Sequence, residues 1–120
     1  MQVPILKQGS VLIATIQAAV PDVDLKELRN SLVQQVVRFR SSGVIVDVTA
    51  MDVVDSFASR TLLELSRMIR LRGADTVIVG IQPEVAFAMV QLGLTLEDIP
   101  TALDLEEGLA YLQQKSKNTS

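Results

Sequence analysis

The stretch Gly43-Val44-Ile45-Val46-Asp47-Val48-Thr49-Ala50-Met51-Asp52-Val53-Val54-Asp55-Ser56-Phe57-Ala58-Ser59-Arg60 decides the fold class. Its first part is short, apolar and rich in β-branched residues, which marks a strand covered on both faces. From Ser56 to Leu71 the period changes. Ala58, Leu62, Leu65 and Ile69 recur every three or four residues, with Arg60, Glu64 and Arg67 on another face, so this segment reads as an amphipathic helix. Arg70 and Arg72 place positive charge at the negative end of its dipole, and Gly73 offers a stop. A buried strand feeding a helix is half of a parallel crossover unit.

The pattern extends in both directions. Downstream, Thr76 to Ile81 repeats the buried-strand signature, and Pro83 opens a third helix that ends at Gly93. Leu94 to Ile99 is expected to be a short edge strand. A last helix runs from Asp104 to Gln114, with Leu105, Leu109 and Leu112 in phase and Asp104 and Glu107 as a capping box. Upstream, Val3 to Leu6 and Val11 to Ile16 read as a hairpin turned at Gln8-Gly9. Between hairpin and central strand, Leu25, Leu28, Leu32, Val36 and Phe39 form a helical stripe. Asp24 and Glu27 are its expected capping box, and Gly43 its expected left-handed end. Strands alternating with helices predict an α/β domain with a mainly parallel or mixed sheet and helices packed against it. Residues 1–115 form that domain, and residues 116–120 are expected to be a frayed tail.

The chain has 120 residues, 48% apolar and only 3% aromatic, so Val, Leu, Ile and Ala must fill the core. It contains no cysteine and no histidine. That inventory excludes disulfides, thiol nucleophiles, Cys/His zinc sites and histidine bases. A net charge of −3 argues against a nucleic-acid partner. No signal peptide is recognisable at the start, and no run approaches the ~20 apolar residues of a membrane span. The expectation is a cytoplasmic protein with no membrane partner.

Chemistry in open α/β sheets collects where strands lead into helices. Here that loop carries Asp47, Asp52 and Asp55 before Ser56. Capping is the simpler explanation of Asp55-Ser56. A phosphate on Ser56 is compatible with it, because the first turn of a helix favours negative charge, and Arg60 or Ser59 is placed one turn on to meet it. A metal-dependent receiver domain would need a lysine at the end of the later strand, where Val79-Gly80-Ile81-Gln82 has none. Three acids without a nucleophile, a base partner or a phosphate loop make a poor catalytic constellation. No enzyme, cofactor or metal is therefore expected.

The same loop resembles the signature of STAS domains, the family of bacterial anti-anti-sigma factors, in which a strand ends in Asp and a later Asp-Ser opens a helix. Phe57 and Ala58 depart from the usual Ser-Gly that follows. Asp55-Ser56-Phe57, Gly80-Ile81-Gln82-Pro83, Leu92-Gly93, Thr101-Ala102-Leu103-Asp104-Leu105-Glu106 and Val3-Pro4-Ile5-Leu6 resemble the RsbS-type stressosome scaffolds. The resemblance implies a non-catalytic scaffold that sequesters an RsbT-type serine/threonine switch kinase and is phosphorylated by it on Ser56. It further implies an RsbR-type STAS paralogue, a PP2C-type phosphatase, and a homodimer within a large hetero-oligomeric assembly. Asp52, Asp55, Phe57, Ser59 and Arg60 would form the kinase-facing surface. Ser59, Thr49 and Thr61 remain open as further modification sites. The alternative is a stand-alone anti-anti-sigma factor regulated by serine phosphorylation.

Overall fold

The computed structural model describes residues 3–18, 20–94, 96 and 99–118. Its elements run β1 (Ile5–Gln8), β2 (Val11–Thr15), α1 (Asp22–Phe39), β3 (Gly43–Asp47), α2 (Ser56–Leu71), β4 (Asp75–Val79), α3 (Pro83–Gln91), β5 (Thr101–Ala102) and α4 (Leu105–Asn118). The five strands lie in sequence order in one sheet. β1 is antiparallel to β2, and every later neighbour is parallel. This is the mixed α/β sheet the patterning predicts.

The pleat sorts the core. Leu12, Ala14, Val44, Val46 and Ile78 face one side and pack with Leu28, Leu32 and Val36 of α1, Leu62, Leu65 and Ile69 of α2, and Val85 and Met89 of α3. Val11, Ile13, Ile45, Val77 and Val79 face the other, where Leu112 of α4 closes a smaller core. Alternation along β2 and β3 divides their side chains between the two layers. Two glycines let α4 approach. A Cβ on Gly43 would come within 2.8 Å of Leu112 Cδ1, and one on Gly108 within 2.8 Å of Val79 Cγ1.

Several local expectations differ. α1 begins after Pro21 with no side-chain cap, so Asp24 and Glu27 do not form a capping box there, and Asp24 is buried in the first turn. The helix ends with Arg40 in the left-handed region at φ 51°, not with Gly43, which starts β3. Phe39 leaves the apolar stripe and lies under Arg38, whose Cζ is 5.2 Å from the ring centroid. β1 sits two residues later than expected, because the two-residue turn Gly9-Ser10 pairs Gln8 with Val11. The edge strand is Thr101–Ala102, while the one expected at 94–99 falls partly on residues outside those described. α4 continues past 115 to Asn118. Among the described residues, no helix is long and apolar enough to cross a membrane.

Candidate functional site

The site is the loop between β3 and α2, and it is built on a rigid floor. Val48 continues β3 by donating its amide to Val79 O (3.0 Å), and Met51 donates back to Val48 O (3.0 Å). Asp47 Oδ1 accepts from the Thr49 amide at 2.9 Å and from Thr49 Oγ1 at 2.6 Å, closing a side-chain turn at the strand end. Met51 and Val54 point into the main core and anchor the loop, while Asp52 and Val53 between them face solvent. The loop is thus pinned at two apolar points with an acidic and apolar tip between.

α2 begins at the loop's far end. Asp55 is its N-cap, in extended backbone, and its Oδ1 accepts from the Ala58 amide at 2.8 Å. Ser56 is therefore the first helical residue, and it is exposed. Arg60 is also exposed, one turn on. Phe57 is half-buried against the main core, with Lys26 Nζ 5.7 Å from its ring centroid, so its ring serves packing first. Ser59 requires a correction. At 6% exposure it faces inward and cannot belong to the surface expected from sequence. Thr61 is buried as well, whereas Thr49 is exposed.

The neighbouring β4–α3 turn supports this loop in a way the motif reading did not single out. Gly80 has φ 82°, and a Cβ there would overlap the Thr49 side chain. Gln82 Nε2 donates to Thr49 O at 3.4 Å. The two strand-end loops are therefore locked together through Thr49. A glycine directly after a buried strand is the sequence signal for such a close approach. Among the described residues no group of three or more acids is placed to hold a metal ion. Asp47, Asp52 and Asp55 stay separate: a turn, a tip and a cap.

The STAS domain family matches residues 2–108. The chain belongs to the STAS family. Among solved structures, this STAS domain is similar to a serine-to-glutamate variant of RsbS from Moorella thermoacetica, with 32% identity, a TM-score of 0.84, and coverage of 98% of this chain and 99% of that one. It is also similar to a chain of the stressosome, described as a signal integration and transduction hub, with 34% identity, a TM-score of 0.80, and coverage of 94% and 98%. Among curated proteins, the RsbT co-antagonist protein RsbRA of Bacillus subtilis is 34% identical over 84 residues, which are 70% of this chain and 31% of that protein. The STAS domain thus spans about a third of the length of the RsbR relatives it matches.

Proposed function

We propose that this STAS domain is a non-catalytic scaffold of a stressosome-type assembly in the cytoplasm. In this reading it holds a serine/threonine switch kinase of the RsbT type and releases it when that kinase phosphorylates Ser56. The observation that carries the reading is the exposed Ser56 at the first position of α2, capped by Asp55 and set on a floor locked by Thr49 and Gly80. Near full-length similarity to RsbS and to a stressosome chain supports the same choice. An RsbR-type paralogue is the co-assembling partner, and a PP2C-type phosphatase resets the serine.

The physics of the switch is local. Phosphate adds about −1.5 to −2 charges beside Asp52 and Asp55. The helix dipole and Arg60 favour that charge on the free domain, so the fold tolerates it. A kinase seated over the loop tip would face it across a partly desolvated contact. A 100-fold loss of affinity needs only ~2.7 kcal/mol, within the range of such a charge.

The test is incubation with the switch kinase and ATP, followed by peptide mass spectrometry. Phosphate is expected on Ser56. Ser56→Ala should abolish it and retain the kinase in pull-down, while Ser56→Asp should weaken retention. Phosphate found only at another residue overturns the choice of site, and equal kinase retention by both variants overturns the switch.

A further inference from the structure

The molecule is electrically two-ended. Every helix starts beside the carboxyl ends of the parallel strands, so acids in first turns (Asp22, Asp24, Glu84, Glu106, Glu107) gather at the end that carries Asp52, Asp55 and Ser56. Arg38, Arg70, Lys115 and Lys117, in last turns, gather at the opposite end. Helix dipoles account for that sorting unaided. They do not account for the groove between the last turns of α1 and α2.

This groove has a volume of about 540 Å³, and Val37, Arg40, Ser41, Leu71 and Arg72 are among the residues that line it. Leu71 is 86% exposed and Val37 53%, at positions where a solvated polar residue would serve the helix equally well. Arg40 and Arg72 flank them, and neither forms an ion pair with another described residue. Arg40 keeps its long side chain in a left-handed conformation that ordinarily selects glycine. Ser41 is buried, and its hydroxyl has no hydrogen-bond partner among the described residues. The opposite end offers the complement. Val53 is 65% exposed at the loop tip, and Asp52 beside it forms no ion pair with another described residue. Arg60 and Lys26 are cations on that end of the molecule, which also carries Asp22, Asp24, Asp55 and Glu84 at helix starts.

We propose that the groove between α1 and α2 receives the Asp52–Asp55 loop of a second copy of this chain, with Val53 seated against Val37 and Leu71 and Asp52 facing Arg40 and Arg72. An apolar tip flanked by acids meets an apolar floor flanked by arginines. Groove and tip lie at opposite ends, so one chain cannot satisfy both, and the contact is head-to-tail, not two-fold. It uses the same loop tip as the proposed kinase contact, so at any one loop the second copy and the kinase exclude each other.

Sedimentation velocity of the full chain over a concentration series tests this. The unmodified chain should grow beyond a dimer as concentration rises, and less so in high salt, which screens the charges. Leu71→Ser/Arg72→Ser, with an intact tip, and Asp52→Ser/Val53→Ser, with an intact groove, should each associate at least about tenfold more weakly. All four positions are exposed, and circular dichroism confirms that each variant is folded. Mixing the two variants should restore one discrete 1:1 complex and nothing larger. Variants that self-associate as the unmodified chain does, or a mixture that forms no 1:1 complex, overturn the proposal. So does an unmodified chain that stays monomeric throughout, which would leave the groove to a partner of different sequence.

Discussion

Asp55 holds the first turn of α2 through one carboxylate oxygen, 2.8 Å from the Ala58 amide. Asp55→Ala should cost about 1 kcal/mol, read as a lower midpoint in chemical denaturation. Gly80 carries two separable constraints, a left-handed φ of 82° and contact with the Thr49 side chain. Gly80→Ala should destabilise by more than about 1 kcal/mol. Adding Thr49→Ala should recover only the overlap with the hydroxyl, because Thr49 Cβ still lies 2.9 Å from the added carbon, so the double variant stays less stable than Thr49→Ala alone. Residues of one type separate here by position. Asp55 caps, Asp47 closes a turn and Asp52 stands free in solvent, which spacing within the loop suggests. Ser56 and Ser59 part more sharply. Ser59 shares a face with Leu62 and Ser66 at helical spacing, and a small hydroxyl fits that flank of the stripe, so its burial was open to inference but masked by its polarity.

At the scale of elements, α2 is the most legible. Its apolar stripe, its cap and its terminal arginines agree on Ser56–Leu71, as observed. α1 is less so at its ends. The expected cap Asp24 comes too late: the helix already starts at Asp22, directly after Pro21, which leaves Asp24 inside the first turn. α4 covers its sheet face through a narrow seam centred on Leu112, against Gly43 and beside Ile45 and Val77. Leu112→Ala should therefore cost about 3 kcal/mol, within the range for emptying a buried leucine site. Equilibrium denaturation checks it, and a loss below 1 kcal/mol would mean that α4 re-packs onto the sheet.

At the scale of the whole molecule, helix direction imposes one polarity on everything. Parallel strands send all four helices back the same way, which sets Ser56 and the acids at one end and the arginine-flanked groove at the other. Assembly is the matching observable. Mixed with an RsbR-type STAS partner, the scaffold reading predicts a complex far larger than a dimer by light scattering. Species no larger than a dimer would favour the stand-alone anti-anti-sigma alternative. Family membership explains the fold and the loop's position, while the groove between α1 and α2 draws on the particular residues Val37, Arg40, Leu71 and Arg72.

The chain's own pattern settled what depends on local period and composition: an α/β domain, the buried strands β3 and β4, the span of α2, and a serine at a helix start in an acidic loop. These follow from side-chain alternation and capping, which act within a few residues. Tertiary structure alone decided the rest. The edge pair Thr101–Ala102 exists because β4 offers it a ladder, not because two residues carry a strand signal. Arg40 turns left-handed because α1 must end there for Gly43 to begin β3 under Leu112. Thr49 and Gly80 meet because adjacent parallel strands end side by side, a contact between residues far apart in the chain that no local window contains.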